Sequence, residues 1–303
     1  MKAMILAAGL GTRLRPLTSK RAKALLPVAN KPLIDRTIEY LKSHGVTEIL
    51  VNAHHHHQQI VRHLDGGRPF GMPIEVRVEP EILGTGGGIK NTLDFWDSEA
   101  FIVINGDILT DINLAQSYEA HKQNRGLATL ILHDYKAFNK IEIDTSFTIK
   151  EIPLQNLPDV PGRLAFTGIH IIEPELLSYI KEGVFSDIID CYRKLISSGS
   201  PIKAQVAKGH HWRDIGTVES YLLANRENLG ANPFLIAPGS EIHHSAKLMD
   251  WAIVGENASL EKGVEITRSV LWENVKVKKG IRVIESIVTS SREVSSDLID
   301  KIF

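Results

Sequence analysis

Strand-like apolar runs and helix-period patterns alternate through the first 110 residues, and this alternation constrains the fold more than any other feature. Met4–Ala8 reads as a buried strand. Pro32–His44 reads as a helix, with Leu33, Ile34, Ile38 and Leu41 at helical spacing and Gly45 just past its end. Glu48–Ala53 follows as a strand, His55–Leu64 as a helix and Ile74–Glu79 as a strand. Thr85–Phe95 reads as a helix opening on glycines, and Phe101–Asn105 as a strand. Such alternation predicts an α/β fold, a Rossmann-like, mostly parallel mixed sheet flanked by helices. Sheets of this kind bind ligands beyond the carboxyl ends of their strands. The loops to inspect therefore follow Ala8, Glu79 and Asn105.

From Ala128 to Ile172 the pattern turns strand-rich, with runs at Ala128–His133, Lys140–Ile143 and Leu164–Ile172. Helical patterns return at Glu175–Lys181 and Phe185–Ser198, then a strand at Ile202–Ala207 and a closing helix at Val218–Leu229. Asn232–Pro238 reads as a linker. Beyond it, Ala252–Gly263 repeats as Ser269–Gly280, with Glu256, Asn257, Lys262 and Gly263 matched by Glu273, Asn274, Lys279 and Gly280. A third partial copy begins near Ser286. A period of 17–18 residues makes three short faces of about six, the pattern of a β-solenoid; two unrelated hairpins are the alternative. The expected domains are thus 1–230 and a short solenoid, left-handed β-helix-like, over 231–303, the latter suited to packing or homo-oligomer assembly.

Composition excludes several classes. The formal net charge is −1, without the basic excess that nucleic-acid or membrane-surface binding calls for. No apolar run approaches a membrane span, and the N-terminal run is too short for a signal peptide. Cys191 is the only cysteine, which rules out an internal disulfide framework and fits a reducing cytoplasm.

Four motifs carry chemistry. Met4–Ala8 runs into Gly9-Leu10-Gly11-Thr12-Arg13-Leu14. Leu14 stands where a dinucleotide fingerprint needs its third glycine, and no P-loop lysine motif is present. What remains is a glycine loop whose amides can wrap phosphates, with Arg13, the Thr18 hydroxyl and Lys23 at hand; a tight strand–helix turn is the alternative. Glu79-Pro80-Glu81-Ile82-Leu83-Gly84-Thr85-Gly86-Gly87-Gly88 joins a strand to a helix. Val103–Asp107 places an aspartate after a buried strand, where it can hold a hard cation or serve as a turn residue. Trp212-Arg213-Asp214-Ile215-Gly216-Thr217 precedes the closing helix, which Asp214 could instead cap. His54–His57 could suggest zinc, but only His54 and His57 share a helical face and no further ligand is spaced to help.

The run LAAGLGTRLRPLTSKRAKALLPVANKP, Leu6 to Pro32, resembles the signature of the sugar nucleotidylyltransferases, closest in appearance to mannose-1-phosphate guanylyltransferase-like proteins. It departs once, at Ala22 before Lys23, where proline is usual and its loss is expected to loosen the loop. The resemblance implies Mg²⁺ on Asp107 and Asp214, with these and Arg13 and Lys23 as the catalytic set. It implies nucleotide contacts from Leu6, Ala8, Gly9, Gly11, Thr12 and Arg13, and base recognition by Glu79, Gly84 and Thr85. Asn139, Glu151, Thr167 and Gly168 would line the sugar pocket. Two departures fall there: Ile152 stands where a lysine meets the sugar phosphate, and Asn139 where glycine is usual.

The implied reaction joins an NTP to a sugar 1-phosphate and releases pyrophosphate, best matched to GTP with mannose- or heptose-1-phosphate. Uridylyl or thymidylyl transfer to another (amino-)sugar phosphate is the alternative, and a catalytically inactive sugar-nucleotide sensor the alternative from another class. A phosphate monoester with its second pKa near 6 is already anionic at neutral pH, so no general base is required. The obstacle is anion against anion: two unit charges at 4 Å repel by about 1 kcal/mol in water and roughly 4 at an effective dielectric near 20. Positioning and charge neutralisation must carry catalysis.

Overall fold

Strands buried on both faces of a sheet need near-continuous apolar runs; five such runs form the inner strands of the seven-stranded central sheet, and the two edge strands mix apolar with charged and polar residues. The computed structural model describes residues 1–124, 126–154 and 161–303. The strands are β1 (Lys2–Ala7), β2 (Glu48–Ala53), β3 (Ile74–Val78), β4 (Phe101–Asn105), β6 (Ala128–His133), β7 (Ala165–Ile172) and β8 (Ile202–Ala207); the short β5 (Ile108–Thr110) and β9 (Trp212–Asp214) form a separate pair. The order across the sheet is β8-β6-β7-β4-β1-β2-β3. β7 alone runs antiparallel to its neighbours, so the sheet is mixed but mostly parallel. Leu6 sits in register with both Asn52 and Asn105, which aligns the carboxyl ends of β1, β2 and β4.

The chain divides into two compact units. The sheet belongs to the first, Met1–Leu10 with Ile34–Asp214. Its helices are α1 (Leu33–Ser43), α2 (His57–Leu64), α3 (Gly84–Lys90), α4 (Leu114–Asn124) and α5 (Ile188–Ser197). The expected helix over Thr85–Phe95 stops at Lys90, where the Thr92 hydroxyl donates to the Ile89 carbonyl at 2.7 Å. Asp187 accepts from the Ile189 N–H and so sets the start of α5 later than Phe185. Glu175–Lys181, expected to be helical, is a 3-10 turn over Pro174–Tyr179. α4 escapes sequence detection because its buried stripe, Leu114, Ser117, Tyr118 and His121, is half polar.

The second unit comprises Gly11–Leu33 and Ile215–Phe303. The first stretch is three 3-10 turns, Thr12–Leu14, Leu17–Ser19 and Lys23–Leu25, followed by a two-residue hairpin. α6 (Val218–Glu227) opens on a capping box between Thr217 and Ser220. After it the chain winds into a parallel β-coil built from three ladders. One joins Phe234–Ile236 to the Ala252, Ser269 and Ile287 rungs; a second joins Glu241–Ile242 to the Ser259, Lys276 and Glu293 rungs; the third runs through the Lys247, Glu265, Arg282 and Leu298 rungs. The repeat offset of the sequence is the ladder register, Ala252 opposite Ser269. Asn257 and Asn274, with φ of 55° and 58°, turn corresponding corners, as do Gly263 and Gly280, because the left-handed conformation suits asparagine and glycine. Phe234–Ile236 corrects the linker expected over Asn232–Pro238: three residues carry too little pattern to read, and their pairing comes from the next rung.

Candidate active site

A buried hydrogen-bond chain ties the strand ends of the first unit together. The Ala7 N–H donates to Asn52 Oδ1 at 2.8 Å, and Asn52 Nδ2 donates to Glu79 Oε1 at 2.7 Å. Glu79 Oε2 accepts the Leu83 N–H at 3.1 Å. Glu79 and Asn52 are 1% and 2% exposed, so each must be satisfied internally. Glu79 thus holds the loop leading to α3 with both oxygens, which corrects the expectation that it reads the base: a buried carboxylate with both oxygens bonded has none to offer a ligand. Asn52 was not singled out from the sequence, although one polar residue closing the apolar run Ile49–Val51 is a signal for it.

The triple glycine has a packing cause. A Cβ on Gly88 would lie 2.8 Å from both Asn52 Nδ2 and Glu79 Oε1, and one on Gly86 or Gly87 would strike the 184–188 segment. Gly84 takes φ +73°, and Gly86 and Gly87 both donate to the Ser186 carbonyl. The Thr85 hydroxyl donates to Asp187 at 3.1 Å and accepts the Ile188 N–H at 2.9 Å. His54 and His57 are each joined through Nδ1 to a backbone carbonyl, of Glu79 and of His54 respectively.

Asp107 follows Gly106 between β4 and β5. β9 pairs antiparallel with β5 and puts Asp214 in register with Ile108, one residue from Asp107. Both aspartates are half-buried. The helix cap that Asp214 could have supplied comes from Thr217.

The expected acceptor residues also lie in the first unit. Trp212 donates its indole N–H to the Thr167 carbonyl at 2.9 Å, and its ring meets Tyr135 and Phe138 edge-on at 5.3 and 6.0 Å. The Thr167 hydroxyl is buried and donates to the Ile131 carbonyl. Gly168 takes φ +76°, and a Cβ there would come within 2.5 Å of Ile108. Asn139 bonds the Tyr135 N–H and Asp134, while Glu151 pairs with Arg163 at 3.2 Å. Ile152 is a core residue, and its carbonyl accepts from Arg193 at 2.8 Å.

Gly9 has no left-handed φ, and no described residue beyond its chain neighbours would come within 4 Å of a Cβ. Neither backbone nor packing within the protein demands glycine there. In the second unit, Gly11 has φ +62°, and the Thr18 hydroxyl closes the loop by donating to the Gly11 carbonyl at 2.8 Å. Thr18 is buried, so its hydroxyl is spent on the loop instead of facing a phosphate. Thr12 and Arg13 are exposed on the first 3-10 turn, and Lys23 opens the third, half-buried. Ala22 takes φ −57°, the value a proline would impose.

The fold defines a class first: α/β proteins that carry their ligand loops at the carboxyl ends of the strands. The family model described as nucleotidyl transferase matches residues 2–230, and the chain belongs to that family. It is 34% identical over 248 residues to a UTP–glucose-1-phosphate uridylyltransferase of Synechocystis sp., covering 75% of this chain and 63% of that relative's length. It is 26% identical over 285 residues to a mannose-1-phosphate guanylyltransferase of Mycobacterium tuberculosis, covering 89% of this chain and 79% of the relative. A solved protein of Bacillus anthracis, assigned as a glucose-1-phosphate thymidylyltransferase, superposes with a TM-score of 0.67 at 27% identity, over 77% of this chain and 96% of that one. Among the described residues no helix is long and apolar enough to cross a membrane.

Proposed function

We propose that this chain transfers a nucleotidyl group from an NTP to a sugar 1-phosphate and releases pyrophosphate. The observation that carries the reading is the β5–β9 pairing, which sets Asp214 beside the residue after Asp107. Two aspartates drawn from separate motifs thus lie within one residue of register on paired backbone.

The ion we assign to them is Mg²⁺. Among the described residues no group of three or more His, Cys, Asp or Glu side chains could hold a metal. A pair of carboxylates nevertheless suits an ion that keeps several waters and completes its shell with substrate phosphates. Bound there, Mg²⁺ supplies positive charge against the phosphates. Arg13 and Lys23 neutralise phosphate oxygens, and the amides of Gly9, Gly11 and Thr12 donate to them. Leu6 and Ala8 complete the nucleotide contacts at the end of β1. Glu79, fixed by Asn52, sets the loop whose Gly84 and Thr85 backbone faces the base. Glu151 and Gly168 are assigned to the sugar, while Thr167 and Asn139, buried with their side chains bonded within the protein, are assigned to shaping that pocket instead of touching its ligand. The sugar-phosphate oxygen attacks as an anion, so no side chain takes a proton from it.

We assign GTP with mannose- or heptose-1-phosphate as the substrates, because the match to the guanylyltransferase relative spans 89% of the chain, more than residues 2–230 alone. Uridylyl or thymidylyl transfer to another sugar phosphate is the second reading, favoured by the Synechocystis relative. A catalytically inactive sensor is the third, favoured by Ile152 in place of lysine. The proposed domains are 1–230 for catalysis and 231–303 for the coil, read as a left-handed β-helix from its 17–18-residue period and proposed to join copies of the chain. The proposed location is the cytoplasm, on the single cysteine. A pyrophosphate-release assay over four NTPs and a panel of sugar 1-phosphates tests the reaction. Release with GTP and mannose- or heptose-1-phosphate is expected; no release with any pair would leave the sensor reading.

A further inference from the structure

The second unit contains a set of contacts that the reaction chemistry leaves unused. Arg21, two residues before Lys23, is held by the coil on several sides. Its guanidinium lies 4.5 Å from the centroid of the Trp272 ring. Nη1 donates to Glu273 Oε2 at 3.4 Å, while Nη2 pairs with Glu273 Oε1 and donates to Ser290 Oγ at 2.8 Å. Ser290 also donates to Glu273 Oε1 at 2.5 Å. Burial pushes the Glu273 carboxyl up, but the hydrogen bonds from Arg21 and Ser290 outweigh it and leave the group below its ordinary value.

The same stretch is fixed further along. The Tyr221 hydroxyl accepts from Trp272 Nε1 at 2.9 Å and donates to the Pro27 carbonyl at 2.6 Å. Burial holds that phenol well above its ordinary pKa, so it stays a donor. The Ala29 N–H donates to Asn225 Oδ1, and Asn30 Nδ2 to the Val254 carbonyl, both at 2.9 Å. Arg21, Pro27, Ala29 and Asn30 are therefore all anchored by α6 or the coil.

Three short 3-10 turns make few internal bonds, and ordering a residue costs about 1–2 kcal/mol. A loop left free would charge that cost against its ligand; a loop ordered beforehand would not. We propose that Trp272 and Glu273 are positioning residues for nucleotide binding, acting through Arg21 to order the Gly11–Lys23 loop before the NTP arrives. The inference rests on the assignment of that loop to the NTP.

The test uses the full chain with Arg21→Ala and Glu273→Gln. In hydrogen exchange without substrate, amides over residues 12–25 exchange about tenfold faster in Arg21→Ala, while those at 252–254 and 269–271 keep the wild-type rate. Tenfold corresponds to about 1.4 kcal/mol, the order of a half-buried cation–π contact with its charge-assisted hydrogen bonds. In steady state the KM for NTP rises about tenfold in Arg21→Ala, and by less in Glu273→Gln, which keeps an acceptor; the KM for sugar phosphate stays within about twofold. Unchanged loop exchange overturns the proposal. So does acceleration spread evenly through the coil, which marks a stability defect, or a joint rise of both KM values. Exchange needs no turnover: a freed loop in a chain inactive with every substrate pair would sink the assigned reaction and leave the clamp standing, whereas a rigid loop in an active Arg21→Ala enzyme would sink the clamp alone.

Discussion

Asn52→Asp exchanges one NH₂ group for an oxygen at the centre of the strand-end network. Asn52 Nδ2 lies 2.7 Å from Glu79 Oε1, and Oδ1 accepts the Ala7 N–H. An ionised aspartate would set two carboxylate oxygens at that separation, where unit charges repel by about 6 kcal/mol at an effective dielectric near 20. Taking up a proton costs less: for a carboxyl of ordinary pKa about 3.9, protonation at pH 7 costs about 4 kcal/mol. The neutral acid restores both bonds, its O–H donating to Glu79 and its C=O accepting from Ala7. The folded variant then binds one proton more than the unfolded chain at every pH above about 4, so its stability relative to the wild type falls by about 1.4 kcal/mol per pH unit. The deficit is about 4 kcal/mol at pH 7 and about 1.5 at pH 5, read from paired urea denaturation curves of variant and wild type. An equal deficit at both pH values, or one below about 1 kcal/mol at pH 7, would refute the argument: Glu79 would then be free to turn away, and the network would not anchor the loop to α3.

Asp107→Ala and Asp214→Ala each lower kcat by about 100-fold or more, the range for a lost electrostatic stabiliser; near-normal turnover in Asp107→Ala removes the metal assignment. Burial holds the His170 imidazole near a pKa of about 3, bonded to the Tyr192 hydroxyl. The unfolded chain takes up that proton near pH 6.5 while the fold does not, so stability is lost as pH falls, by about 2 kcal/mol at pH 5. His170→Phe removes about 2 kcal/mol of the loss between pH 7 and pH 5 in urea denaturation, leaving the share of His121, which burial also holds below its ordinary value; an unchanged loss would show that His170 protonates within the fold.

Much of the first unit is legible in the sequence because its strands and longer helices repeat within a few residues. Glu48–Ala53 and Phe101–Asn105 match their runs to the residue, and the coil announces itself because identical corners need identical residues. α4 is missed because a helix can bury Ser117 and His121 once other elements supply partners, as Thr129 and Glu173 do for His121. Asn52 is missed because its role depends on Ala7, on one neighbouring strand, and Glu79, just past the end of the other.

The sequence by itself determined the α/β alternation, the rung length of the coil and the residues to suspect, since hydrophobic period and torsional preference are local properties. Only the tertiary structure decided that Asp214 joins the strand after Asp107, and that Arg21 is held by Glu273, 252 positions away. Such partners are chosen by where backbone edges and half-buried charges from distant parts of the chain meet in space, and no short window of sequence contains both.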